Sequence, residues 1–198
     1  MRVISGSAKG RKLKAVPGES TRPITDRVKE ALFNILGNDV EGSAWWDVFA
    51  GTGSVGIEAL SRGAQFCRFT DTHPLAIRTI RANLEATGLT ARAEVRRADA
   101  FALLNSPANR RFDYVYIAPP QYHELWSRAL QALDLHPSWL NEAAWVIVQI
   151  HPREATPLNL RYLRWIEQRR YGSTLLLFFE HHSGENGTDE APEAPSVA

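Results

Sequence analysis

The sequence is poor in the groups that build covalent or metal-held folds. One cysteine, Cys67, stands among its 198 residues. It excludes an intramolecular disulfide, and no Cys pair exists to hold zinc. Its setting, Phe66-Cys67-Arg68-Phe69, is an apolar alternation that suits a small core residue better than a nucleophile. No apolar run approaches the length of a membrane helix. The opening Met1-Arg2-Val3-Ile4-Ser5-Gly6 lacks a secretory apolar segment, which points to a cytoplasmic protein. The six histidines are scattered and none pairs with a carboxylate at metal-ligand spacing, so no metal is expected. His73, His123 and His151 follow predicted strands, and a surface-loop role is expected of each. No pairing of nucleophile and base is legible.

Lysine is also scarce, and its placement is lopsided. Lys9, Lys12, Lys14 and Lys29 all fall near the start, where Arg2, Arg11, Arg22 and Arg27 join them against Glu19, Asp26 and Glu30. The far end carries Glu180, Glu185, Asp189, Glu190 and Glu193 with no lysine or arginine. A basic head on a body of net charge +1 fits contact with a polyanion, and fits an ordinary solvated edge as well.

The chain has the length of one domain with a full core. Residues 2–6 and 11–16 alternate like two short strands about the turn Ser7-Ala8-Lys9-Gly10. Thr25 is a good N-cap for a helix whose Val28, Leu32, Ile35 and Leu36 share a face and which Gly37 stops. From Ala44 strands and helices alternate. Strands are predicted over 45–49, 65–70, 93–97, 114–117 and 144–150, and helices over 54–62, 74–87, 100–104 and 122–133. Near-continuous apolar strands such as Trp145-Val146-Ile147-Val148 suit a sheet covered on both faces. Residues 161–169 and 173–180 read as an antiparallel pair at one edge. The expected fold is α/β and Rossmann-like, divided into a basic hairpin extension (1–19), a main domain (20–182) and a disordered acidic tail (183–198).

The strongest local signal is Asp47-Val48-Phe49-Ala50-Gly51-Thr52-Gly53-Ser54-Val55-Gly56. A hydrophobic strand enters a glycine turn and leaves in a helix, whose first N–H groups are free for a ligand. Alone, this spacing also fits a nicotinamide dehydrogenase. Asp47 shifts the balance, because a carboxylate beside the turn repels a diphosphate and suits the cationic sulfonium and amino acid moiety of S-adenosylmethionine. Asp71 ends the second strand about twenty residues on, where an acid can accept from both ribose hydroxyls. Asp99, followed by Ala100, ends the third strand and can accept from the adenine amine. Either aspartate alone reads equally as a helix N-cap.

The fourth strand ends in Ala118-Pro119-Pro120-Gln121-Tyr122. Prolines stiffen that turn and leave carbonyls free. A carbonyl there can accept from an exocyclic base amine, and Tyr122 or Trp126 can stack on an extruded base.

At this point the sequence resembles the RsmD-type methyltransferases. The resemblance rests on Ile4-Ser5-Gly6, Lys9-Gly10-Arg11-Lys12-Leu13, Thr21-Arg22-Pro23, the helix from Thr25 to Ile35, Phe49-Ala50-Gly51-Thr52-Gly53, and Gly56-Ile57-Glu58-Ala59-Leu60-Ser61-Arg62-Gly63-Ala64. It implies a seven-stranded class I methyltransferase sheet with an N-terminal hairpin, and methylation of a guanine N2 in 16S ribosomal RNA. The implied partners are ribosomal RNA or a small-subunit assembly particle, met by a monomer. The implied cofactor contacts are Asp47, Ala50, Gly51, Gly53, Asp71, Asp99, Ala100 and Ala118. Lys9, Arg11, Lys12, Lys14 and Arg22 would grip RNA, and Pro119, Gln121 and Tyr122 would align the base. One departure stands out, because the family's Asp-Pro-Pro-Tyr is here Ala118-Pro119-Pro120-Gln121. The carboxylate that would accept from the target amine is missing. Catalysis through Pro119 and Gln121, a different base or atom, and RNA binding without catalysis are the three readings this leaves.

Overall fold

The computed structural model describes residues 1–18 and 24–184. Helix α1 (Asp26–Leu36) begins where expected: the Thr25 hydroxyl accepts from the Val28 N–H at 3.3 Å, and the helix buries Val28, Leu32, Phe33 and Leu36. Gly37, at φ 60°, ends it.

Strands β1 (Ala44–Asp47), β2 (Phe66–Asp71), β3 (Ala93–Arg97), β4 (Phe112–Ile117), β5 (Leu140–Ile150), β6 (Leu163–Tyr171) and β7 (Thr174–His181) form one sheet in the order β3-β2-β1-β4-β5-β7-β6. Between them run α2 (Ser54–Ser61), α3 (Pro74–Thr87), α4 (Ala100–Leu104) and α5 (Leu125–Leu135). The strands from β3 to β5 are parallel. Strand β7 inserts between β5 and β6 and pairs antiparallel to both, so β6 regains the direction of the parallel strands. The predicted edge pair is therefore present, with its later strand on the inside.

Two apolar layers cover the sheet, as both-face burial of the central strands requires. One packs Trp45, Ile147 and Phe178 under α1 and α2; the other packs Trp46, Val146, Val148 and Leu177 under α5. Cys67 is wholly buried in the first layer, and burial drives its thiol pKa well up, as befits a core residue. Gly56 lets α2 lie on β2: a Cβ there would stand 2.4 Å from the Phe69 ring and 2.6 Å from the Cys67 sulfur.

The head departs from its prediction. In place of two strands there is one antiparallel bridge, Arg2 to Lys12, flanked by backbone bonds such as Val3 N–H to Arg11 O at 2.9 Å. Turn bonds such as Lys9 N–H to Gly6 O close within the head, and much of its remaining polar backbone goes to helices. Glu58 accepts from the N–H groups of Ile4 (2.8 Å) and Ser5 (3.0 Å), and the Ser61 hydroxyl accepts from Ala8 (3.0 Å) and donates to Ser5 O. Asn83 of α3 accepts from Lys14 N–H at 2.8 Å and donates to Lys14 O. Val3, Ala8, Leu13 and Val16 are buried beneath. The segment is a strap docked along α2 and α3, because a short ribbon with so many bonds to satisfy finds better partners there than in itself.

Of the predicted helices, 122–133 starts late. Tyr122 (φ 66°) and Glu124 (φ 53°) hold left-handed backbone that no helix tolerates, so α5 begins at Leu125. The predicted tail, 183–198, lies almost wholly outside the described residues.

Candidate active site

The carboxyl ends of β1, β2, β3 and β4 open side by side, the place where parallel sheets receive ligands. After β1 the chain turns through Gly51 (φ 53°) and Gly53 (φ 76°), with Gly53 N–H donating to Ala50 O at 2.7 Å and Ala50 N–H to Thr70 O at 2.9 Å. A Cβ built on Gly51 would meet nothing within 4 Å, so open space lies over the turn.

Asp47 lies beneath this turn and is 2% exposed. Its carboxylate accepts from the Gly56 N–H at 3.3 Å. The N-cap of α2 is Gly53, which has no side chain, so Asp47 caps that helix from the neighbouring strand. Burial pushes its carboxyl up to about 7, against the opposing pull of the Gly56 N–H; the nearby charge of Asp71 adds a smaller push. A cation above the turn would hold it ionised. Asp71 is half-buried and bridges two loops, accepting from Gly51 N–H at 2.9 Å and from His73 N–H at 2.8 Å. It thereby fixes the glycine turn, and each oxygen keeps a further lone pair able to accept.

Asp99 is exposed and caps α4 through Ala102 N–H at 2.9 Å, with Ala100 buried behind it. Both readings of Asp99 thus persist, since the cap occupies one oxygen. Sequence reasoning missed a half-buried aromatic pair at this corner, Phe49 and Phe101, with ring centroids 6.1 Å apart.

The loop after β4 carries Ala118 half-buried, Pro119 buried and Gln121 exposed. Tyr122 is 63% exposed, with its ring near His151. Trp126, in the first turn of α5, is 3% exposed and packed in the core, so it cannot stack on a base. Its position on the buried face of α5, which starts three residues later than predicted, is the reason. Two more residues went unnoticed. Glu154 accepts from Tyr122 N–H at 2.8 Å and from His151 N–H at 3.0 Å, tying the left-handed Tyr122 to the segment after β5. Tyr116 donates to the Gln149 side chain at 2.6 Å. Register sets Ile117 opposite Val148, so Gln149 comes level with Ala118. Neither signal was available in sequence, because each links residues about thirty apart.

Lys9, Arg11, Lys12 and Lys14 are all exposed on the strap. The strap reaches the turn itself, because Asn83 also donates to Thr52 O at 3.0 Å. Arg22 lies outside the described residues. Lys29 must be removed from the basic head: it is wholly buried, 3.4 Å from Glu58, and donates to Arg2 O and the Ser54 hydroxyl. The opposite, amino edge of the sheet is acidic. A cavity of about 450 Å³ there is ringed by Asp39, Glu41, Asp113, Glu142 and Glu180.

Seven strands in this order, one of them reversed, with a glycine turn after the first and acids at successive strand ends, define a Rossmann-like class I methyltransferase. Over residues 1–180 the chain matches the family described as Conserved hypothetical protein 95, and it belongs to that family. It is 44% identical over 177 residues to "Putative rRNA methyltransferase YlbH" of Bacillus subtilis, covering 88% of this chain and 95% of that one. It is 36% identical over 168 residues to "Ribosomal RNA small subunit methyltransferase D" of Haemophilus influenzae, covering 83% and 86%. Among solved structures, "Putative methyltransferase yhhF from Escherichia coli" superposes with a TM-score of 0.82 at 27% identity, covering 92% of this chain and 98% of that one. These relatives agree with the resemblance drawn from the motifs.

Proposed function

We propose that this chain is an S-adenosylmethionine-dependent methyltransferase of ribosomal RNA, acting as a cytoplasmic monomer on a guanine N2 of the small-subunit RNA. The observation that carries the reading is the open glycine turn with Asp47 buried beneath it and Asp71 beside it. When bound, the cofactor supplies an electrophilic methyl group on a positively charged sulfur. Once ionised, the buried Asp47 carboxylate stabilises that positive charge and repels a diphosphate, which supports this reading over a nicotinamide dehydrogenase. Gly51 and Gly53 admit the ligand to the backbone, Asp71 accepts from the ribose, and Phe49 and Phe101 offer an apolar wall for the adenine, with Ala100, Asp99 and Ala118 around it.

The rest of the work falls to the loop after β4. Its task is to hold an exocyclic amine so that the nitrogen lone pair faces the methyl carbon. The Pro119 carbonyl and the Gln121 and Gln149 amide oxygens are neutral acceptors at this loop, and Tyr122 supplies a solvent-exposed ring for the base. The Glu154 carboxylate nearby is taken up by the Tyr122 and His151 N–H groups. Replacing a charged acceptor by neutral ones slows such a step by about a hundredfold to a thousandfold, which is compatible with turnover. Ala118 also favours a second reading, in which the target is another base or atom, or RNA is bound without methylation. The strap contributes Lys9, Arg11, Lys12 and Lys14, with Arg22 beyond it, as phosphate contacts.

Mass mapping of modified nucleotides in ribosomal RNA, with and without this gene, tests the reading. One guanine that loses a methyl group in the deletion strain is the expected result. An unchanged modification map, with no S-adenosylhomocysteine released by the purified protein on ribosomal RNA or small-subunit particles, rejects it.

A further inference from the structure

The strap does not account for all the exposed positive charge at the mouth of the cleft. A groove of about 320 Å³ lies between the start of α1 and the turn joining β6 to β7, lined by Thr25, Arg27, Val28, Arg170, Tyr171 and Gly172. Arg27 and Arg170 are both exposed, and neither is paired with a carboxylate among the described residues. Among the described residues the Arg170 guanidinium donates only to the Gly172 carbonyl, at 3.3 Å. Asp26, the nearest acid in sequence to Arg27, is already engaged by Arg2 at 3.4 Å.

Sheet register locates this groove. Arg170 and Ile150 both pair with Leu175, from opposite sides of β7. Arg170 is thus level with the end of β5, and therefore with Pro119 at the end of β4. Three strand spacings separate β4 from β6, about 14 Å at roughly 4.8 Å each. The groove accordingly opens on the same edge as the cofactor turn, within a few nucleotides' reach of the loop that would hold the target base. The reversal of β7 makes this possible, since it returns the end of β6 to the carboxyl edge.

We infer that the groove between α1 and the β6–β7 turn is a second RNA contact, in which Arg27 and Arg170 hold backbone phosphate of the strand flanking the target nucleotide. The inference rests on the proposed RNA methyltransferase reading and extends it: the strap grips RNA on the α2–α3 side of the cleft, and this groove takes the strand on the far side. Two unpaired guanidiniums around an open groove suit phosphate oxygens better than a carboxylate partner of this chain's own. Tyr171, half-buried against the core, keeps the turn in place under that load.

The test uses the full chain with transcribed 16S ribosomal RNA across a salt series. Arg27→Gln with Arg170→Gln should weaken RNA binding by about tenfold and reduce the salt slope by about 1.4, the value for two single-strand phosphate contacts. Binding of S-adenosylhomocysteine should not change. Arg111→Gln, an exposed cation at the start of β4 on the opposite edge, should leave RNA affinity within twofold. If the double variant keeps parental affinity and slope, or Arg111→Gln costs as much, the groove is not a contact while the methyltransferase reading stands. If the parent chain binds no RNA and releases no S-adenosylhomocysteine with RNA or particles, both fall.

Discussion

Glu58 and Lys29 are each sealed from solvent and lie 3.4 Å apart, and between them they hold the amino-terminal strap onto the domain. Glu58 also takes the N–H groups of Ile4 and Ser5 and the Arg62 guanidinium at 2.8 Å, so every part of that carboxylate is engaged. Burial lowers the Lys29 pKa, and the Glu58 charge works against that fall. A buried pair of this kind adds little net stability over an apolar pair, but removing one member strands the other.

Glu58→Ala should therefore destabilise the fold by about 3–5 kcal/mol, read from urea denaturation. Faster amide exchange at Ile4, Ser5 and Ala8 than in α3 should accompany it. Lys29→Met with Glu58→Leu should recover part of the loss. A single variant as stable as the parent would show that the pair does not hold the strap.

Asp47 leads to a pH prediction. Its carboxyl is raised to about 7 in the folded protein from an ordinary 3.8, so the folded state binds the extra proton between those values. Its contribution to stability is full below pH 4 and is lost as pH climbs through 7, at up to about 1.4 kcal/mol per unit. Asp47→Asn should flatten this fall. Binding of the cationic methyl donor should release a proton and tighten from pH 6 to 8 in the parent, and lose that dependence in Asp47→Asn. Calorimetry in buffers of different ionisation enthalpy reads the proton directly.

Restoring the missing acid is the sharpest probe of the chemistry. Ala118→Asp should raise turnover on RNA by about a hundredfold, read at saturating cofactor in single-turnover methyl transfer. A variant no faster than the parent would favour a different target atom.

Neutralising Lys9, Arg11, Lys12 and Lys14 together should reduce the salt slope of RNA binding by about 3, at 0.7 per single-strand contact. An unchanged slope would remove the strap from the RNA surface.

Most of the scaffold was legible because its signals are local. The Thr25 cap, the Gly37 stop, the glycine turn and the apolar run of β5 each declare themselves within a few residues. Asp71 and Asp99 could be placed for the same reason, one ending β2 and the other two residues beyond β3. What escaped the sequence is long-range. Lys29 reads as one more basic residue until α2 brings Glu58 to it. Arg170 reads as one more β-strand cation until β7 turns β6 back toward the cleft. Trp126 reads as a candidate stacking ring until the left-handed Tyr122 and Glu124 delay α5 and turn that ring inward. The strap reads as a β-hairpin of two short strands because its helix partners, Glu58, Ser61 and Asn83, lie more than fifty residues away.

The five carboxylates at the amino edge of the sheet stand at the opposite end of the strands from the Arg170 turn. Such a body is an electric dipole despite a net charge of only +1. In the field of a polyanion it rotates during diffusion, presenting its mouth and averting its back, so that collisions are pre-oriented.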